Sequence, residues 1–249
     1  YFYWSPSRFT RVAMMLFISG IINSFLKDYF QDPRPAIEFM LDSKVGTSYG
    51  LPSGHAQIAV TLWGLLAYEL KDKWVSLGAL ILILVICFSR LYLGVHDIQD
   101  VSLGISVGLL ILAFWHVVIS SNFFKTLSRL NILICILVFQ LVASVFYPTH
   151  DGHEINVWFL GAMMGWYIGS SKIILTNNKL INLCLSLFSI GGVLYAMSIL
   201  TNFAANFSST GIIDFLFVYI LGILFSVIVT YLIPQLWVYF GLASDVHKS

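Results

Sequence analysis

The chain has 249 residues, of which 59% are hydrophobic, 16% aromatic and only 10% charged, with a mean hydropathy of +0.88. A water-soluble globular domain has nowhere to place so much apolar surface, so the composition excludes one and predicts an all-α, polytopic integral membrane bundle. The net charge of +1 leaves no basic face for a run of phosphates, which excludes a nucleic-acid partner and leaves the lipid bilayer.

Crossing a hydrocarbon core of about 30 Å takes about 20 apolar residues in a helix. Read between charges and turn residues, the chain predicts eight spans, near 9–27, 54–70, 74–91, 101–122, 130–148, 156–175, 180–200 and 213–240. Before the first lies Tyr1-Phe2-Tyr3-Trp4, which resembles the interfacial end of a helix, so the sequence is expected to continue upstream. The last stretch is long enough to tilt or break, with Pro234 as the place. Cys87, Cys135 and Cys184 lie in apolar runs without metal-type spacing and read as small hydrophobes.

Three charged clusters interrupt the first half, and boundary charges of this kind are costly enough to suggest function. The first is Lys27 with Arg34, whose seven-residue separation predicts one helix face, ended by Pro33 and Pro35. An arginine fork and a lysine point charge suit a phosphate dianion, although both side chains can also snorkel to the interface beside Asp28 and Asp32. The second is Pro52-Ser53-Gly54-His55, where Ser53 can cap the next helix and Gly54 lets backbone approach a ligand. The third is Ser89-Arg90 followed by His96 and Asp100; on a helix Asp100 lies one turn from His96 and accepts its ring N–H. Such a pair serves equally as a structural hydrogen bond or a catalytic dyad.

Orientation follows from the lysines and arginines. With eight alternating spans, one side collects Arg8, Arg11, Lys71, Lys73, Lys125, Arg129, Lys172, Lys179 and Lys248, nine of thirteen. The other holds Lys27, Arg34, Lys44 and Arg90, three of which belong to the clusters. All three clusters are therefore expected on one non-cytoplasmic face, where they can form a single site.

The order of these residues carries a family resemblance. Lys27 to Arg34-Pro35, then Pro52-Ser53-Gly54-His55, then Ser89-Arg90 to His96 and Asp100 resembles the three-part signature of the type 2 phosphatidic acid phosphatase superfamily, matched at every defining position over roughly residues 1–122. The short Lys27-Asp28 and His96-to-Asp100 segments resemble its sphingosine-phosphate branch. The resemblance implies a membrane bundle of about six spans, with one or two preceding Tyr1, a catalytic core in residues 1–124, and additional helices of unassigned role in 125–249. It implies His96 as nucleophile through a phosphohistidine, Asp100 holding its tautomer, and His55 as general acid and then base for water. It implies Lys27, Arg34, Arg90, the Ser53 hydroxyl and the Gly54 N–H as the phosphate grip. No metal or other cofactor is expected, because the three cations take the electrostatic role of magnesium and no acidic cluster offers to hold it. The implied substrate is a membrane lipid phosphate; the lipid and the oligomeric state are not specified.

A phosphotransferase using the same intermediate, and an anion-binding transporter or scaffold without turnover, are the alternative readings. Outside the clusters, His150, Asp151, His153 and Glu154 read as a polar loop on the same face, Asn206-Phe207-Ser208 as a sequon, and His116 as a buried hydrogen-bonding residue within a span.

Overall fold

The computed structural model describes residues 6–42, 48–120, 128–146, 150–169 and 212–241, with separate positions between 180 and 199. All regular structure among the described residues is helical: α1 (Pro6–Phe30), α2 (Gly54–Leu70), α3 (Lys73–Tyr92), α4 (Ile98–Ser120), α5 (Arg129–Phe146), α6 (His150–Gly169), α7 (Ile212–Val227) and α8 (Ile233–Tyr239). A 3-10 turn at Ile37–Phe39 and a π turn at Ile228–Leu232 complete the set.

Among the described residues, four stretches are long and apolar enough to cross a membrane: Thr10–Phe30, Lys73–Tyr92, Ile98–Val118 and Phe215–Tyr239. Eight spans were expected. Among the helices that carry the expected spans, α2 has 17 residues, against about 20 for a full crossing. The span expected at 180–200 falls largely outside the described residues, as do Lys44 and the Asn206 sequon.

The chain forms two compact units, Met14–Asn156 and Tyr1–Ala13 with Val157–Ser249. In the first, α2 packs on α3 and α4. The α2–α3 connection is tight: Lys71 adopts a left-handed cap, and the Asp72 carboxylate accepts Trp74 N–H at 2.8 Å and Val75 N–H at 3.0 Å to start α3. That reversal returns α3 to the end where α2 began. There Ala56, Cys87 and Val101 meet in an apolar cluster with Ile83, Leu91 and Ile105. Each of the three buried members sits near a cluster residue in sequence, so one patch of packing under the surface ties His55, Arg90 and Asp100 to a common base. Gly104 makes the approach possible: a Cβ there would lie 2.6 Å from Ser53 O and 3.2 Å from Ala56 Cβ.

In the second unit, Gly161 and Gly165 of α6 sit against the carbonyls of Tyr219 and Ile223 on α7, the close backbone packing that small residues permit in membranes. Trp166 Nε1 donates to Thr10 Oγ1 at 3.2 Å. The last α-helix is interrupted at the expected place, with Pro234 in the first turn of α8. The ladder widens into the π turn just before it, where buried Thr230 donates its hydroxyl to Ser226 O at 2.7 Å.

Two further expectations change. The residues His150 to Glu154 open α6 as its first turn instead of forming a loop. His116 is exposed, with Nδ1 3.1 Å from the Tyr68 hydroxyl and its ring edge-on to the tyrosine. It lines an open cleft between α2 and α4, where the tyrosine of the neighbouring helix satisfies it without burial.

Candidate active site

The first cluster is built differently from the single helix face expected for it. α1 ends at Phe30, Gln31 turns left-handed at φ 50°, and Arg34 lies in the following loop. Asp32 precedes Pro33 and is therefore biased away from helix, which is why the helix stops before Arg34. Lys27 and Arg34 still arrive at one place, because the segment Ser48-Tyr49-Gly50 passes between them. Lys27 Nζ donates to Tyr49 O and, at 3.3 Å, to Gly50 O. Arg34 Nε donates to Ser48 O at 2.7 Å and Nη2 to Ser48 Oγ at 3.0 Å.

Arg34 also reaches the third cluster. Its Nη1 donates to Val95 O at 2.9 Å and lies 3.2 Å from His96 Nε2. The two loops are seated together by Leu41 N–H donating to Leu93 O at 2.9 Å, and by Gly94, whose φ of +65° turns the chain where any side chain would strike Phe39 O.

His96 precedes α4, so the pair is not two residues on one helix. Asp97 caps α4: its Oδ1 accepts Asp100 N–H at 2.9 Å, and Asp100 Oδ2 reaches back to Asp97 N–H at 3.3 Å. This reciprocal box turns the Asp100 carboxylate toward the preceding residue, where Oδ2 accepts His96 Nδ1–H at 2.7 Å. Since a carboxylate only accepts, the proton is fixed on Nδ1 and the lone pair falls on Nε2, facing Arg34. Both partners are buried, His96 at 4% and Asp100 at 1% exposure. Gly50 supplies room for the carboxylate, because a Cβ there would lie 2.9 Å from Oδ2.

The second cluster meets this pair through backbone: Ser53 N–H donates to Asp100 O at 2.9 Å. Ser53 stands at the N-cap position of α2 but forms no side-chain cap bond, contrary to expectation. Its hydroxyl is fully buried without a partner, and so is Asp100 Oδ1. Buried polar atoms are rarely left unpaired, and two of them at one centre are unspent bonding capacity for a bound group. His55 is exposed at the start of α2 and feels the charges of Arg90, Arg34 and Lys27. Arg90, in the last turn of α3, donates through Nε to Ser89 Oγ at 3.2 Å.

Burial first, and then the Arg34 and Lys27 charges with those of His55 and Arg90, lower the His96 pKa to about 3. Burial likewise lowers that of Arg34, opposed by Asp100 and reinforced by Arg90. His96 is therefore a neutral imidazole at neutral pH. Its folded-state pKa lies below its unfolded one, so the unfolded chain binds the proton more tightly. The resulting stability is complete above about pH 6.5 and is lost as the pH falls toward 3. Thermal unfolding in detergent should accordingly occur at lower temperature at pH 5 than at pH 7, with a smaller decrease in His96→Asn; an unchanged pH response in that variant would contradict the assignment.

All eight residues singled out from the sequence thus fall around one centre. Not anticipated were Asp97, Ser48, Tyr49 and Gly50, together with the buried pair Asn23 and Gln57 behind the Pro52 loop. The spacing Asp97-x-x-Asp100 before an apolar run is a capping-box signal, and Asn23 and Gln57 are polar residues inside apolar stretches. The three carbonyl-bearing residues carry no side-chain signal. Among the described residues, no three His, Cys, Asp or Glu side chains are grouped as metal ligands would be.

These features define a multi-pass helical membrane protein with a buried histidine–aspartate pair beneath three cations. Residues 8–124 match the PAP2 superfamily. It is 27% identical over 190 residues to lipid phosphate phosphatase delta of Arabidopsis thaliana, covering 67% of this chain and 46% of that protein. It is 31% identical over 112 residues to dolichyldiphosphatase of Saccharomyces cerevisiae, covering 40% and 46%. With sphingosine-1-phosphate phosphatase 2 of Mus musculus it shares 24% identity over 158 residues, covering 59% and 44%. The chain spans about half the length of the curated relatives it matches. No solved structure matches it.

Proposed function

We propose that the chain is a membrane lipid phosphatase that hydrolyses a phosphomonoester or diphosphate head group through a phosphohistidine, without a metal. The observation that carries this reading is the orientation of His96: Nδ1 is held by Asp100 at 2.7 Å and Nε2 is left as a lone pair within 3.2 Å of a guanidinium. A neutral imidazole so oriented is a nucleophile, and the guanidinium beside it is where a phosphoryl group is drawn. Relatives named for lipid phosphates, dolichyl diphosphate and sphingosine-1-phosphate agree with a phosphoryl group on an apolar tail.

In the proposed reaction His96 Nε2 attacks phosphorus while the bond to the lipid oxygen breaks, and His55 gives that oxygen its proton. Asp100 stabilises the imidazolium side of the intermediate. Lys27, Arg34 and Arg90, with the Ser53 hydroxyl and Gly54 N–H, hold the oxygens on which charge is redistributed. Water then attacks the phosphohistidine, its proton passes to His55, and inorganic phosphate leaves with His96 regenerated. Lys27 and Arg34 exchange the carbonyls of Ser48, Tyr49 and Gly50 for phosphate oxygens, so binding replaces bonds already made instead of ordering free side chains.

The catalytic core is assigned to residues 1–124 and additional helices to 125–249, with eight spans and the site on the non-cytoplasmic face. The distribution of lysine and arginine supports that topology. The test is phosphate release by the purified protein from detergent-dispersed phosphatidic acid, sphingoid phosphate and isoprenoid diphosphate. Release from at least one is expected to survive EDTA and to be inhibited by vanadate. Transfer of the phosphoryl group to an added lipid without free phosphate would identify a phosphotransferase, and binding without turnover a scaffold.

A further inference from the structure

A buried polar network joins α1 to α2 directly behind the loop that carries Ser53 and His55. Asn23 Nδ2 donates to Pro52 O at 3.3 Å and to Gln57 Oε1 at 2.9 Å. Gln57 Nε2 passes the chain on to Ser19 O at 2.8 Å and Ser19 Oγ at 3.0 Å, and Thr61 Oγ1 stands 3.4 Å from that hydroxyl. Ser19, Gln57 and Thr61 have no exposed surface and Asn23 has 8%. Apolar side chains close a contact between membrane helices at less cost than amides do, so paired amides here supply direction, which leucines do not.

That direction leads to the acid. The network ends on the carbonyl of Pro52, and the peptide that follows begins Ser53-Gly54-His55. Gly54 is fitted to the same amide, since a Cβ there would lie 2.9 Å from Asn23 Oδ1. From the opposite side Ser53 N–H is held by Asp100 O at 2.9 Å. The segment is thus pinned between α4, which carries the nucleophile's partner, and α1. On α1, Asn23 stands one turn before Lys27 and on the same face, so one helix face holds both the loop of the acid and one of the phosphate-gripping cations.

We infer that Asn23 and Gln57 are positioning residues that set where His55 meets the leaving-group oxygen, without touching the substrate themselves. This rests on the phosphatase reading above. If it holds, their loss penalises reactions that need an acid far more than reactions that do not. An alkoxide leaving group needs a proton and a nitrophenolate does not, while kcat/KM reports every step through loss of the alcohol.

In the full chain, kcat/KM is compared for an alkyl lipid phosphate and for p-nitrophenyl phosphate in wild type, Asn23→Leu and the volume-conserving Gln57→Met. The expected result is a loss of about 10- to 100-fold on the lipid phosphate, part of the roughly 10²- to 10⁴-fold that a general acid supplies, with p-nitrophenyl phosphate changed by less than about threefold. Inhibition by inorganic phosphate should change by less than about threefold, because the three cations are intact and Ser53 N–H is still held by Asp100 O. Equal losses on both substrates, no loss on either, or failure of both variants to assemble in the membrane would each make the network purely structural and overturn the inference. Should wild type release phosphate from neither substrate, or His96→Ala act like wild type, the phosphatase reading itself is what fails, and that pattern is distinct from the others.

Discussion

His96→Ala is expected to lower phosphate release from the preferred lipid phosphate by about 10⁴-fold or more, leaving only what binding and the surrounding cations supply. The side chain is almost fully buried between Asp100 and Arg34, and no other described imidazole has a carboxylate partner in reach, so nothing stands ready to replace it. Competitive binding of inorganic phosphate should survive, because Lys27, Arg34 and Arg90 remain. Binding retained with turnover lost separates a missing nucleophile from a collapsed site. Rapid quench with ³²P-labelled substrate should trap acid-labile, base-stable label on wild type and none on the variant. Activity within about tenfold of wild type would sink the nucleophile assignment.

The second large effect is expected for Asp100→Asn, at about 10³- to 10⁴-fold in kcat with a small change in KM. The carboxylate does two jobs through one oxygen: it accepts His96 Nδ1–H at 2.7 Å and Asp97 N–H at 3.3 Å. Asparagine is nearly isosteric and keeps an acceptor for the helix cap, so the fold is retained. What it loses is the negative charge that stabilises the imidazolium form, and its amide can equally donate to Nδ1 and place the proton on the wrong nitrogen. The contrasting change is Asp97→Asn, which preserves the Oδ1 acceptor of the box and should cost only a few-fold. If the two variants were equally impaired, Asp100 would be acting through the cap and not through the histidine.

Much of this centre was legible as residue types in order. Lys27, Arg34, Ser53, His55, Arg90, His96 and Asp100 are polar interruptions of apolar stretches, and each is costly enough at a membrane boundary to draw attention. The geometry proposed for them from spacing alone was less accurate. A seven-residue interval suggested one helix face for Lys27 and Arg34, yet Pro33 ends the helix early and Arg34 reaches the site from a loop. A four-residue interval suggested a helical pair for His96 and Asp100, yet the helix begins at Ile98 and the contact is made by a capping box. In both cases local spacing named the right partners, while turn and cap chemistry chose the path. Ser53 shows the reverse: its position at a helix start was read correctly, but its hydroxyl is withheld from the cap and left unpaired beside Asp100.

Other features had no legible signal. The carbonyls of Ser48, Tyr49 and Gly50 that hold Arg34 and Lys27 are present in every peptide, so no residue type announces them. Gly50, Gly54 and Gly104 are three of 18 glycines, and only the neighbour each one admits, Asp100, Asn23 or Ser53, distinguishes them.

Composition and hydropathy by themselves determined that the chain is a helical membrane protein, because uninterrupted apolar length and the need to satisfy the backbone leave few alternatives. The ordered motifs determined which side chains are the candidates for the chemistry. Only the tertiary structure decided how those side chains meet: α2, α3 and α4 share one apolar cluster, and the loop before α2 is pinned between Asn23 and Asp100. Contacts between residues tens of positions apart depend on packing and on backbone groups, and neither is encoded in residue type or spacing.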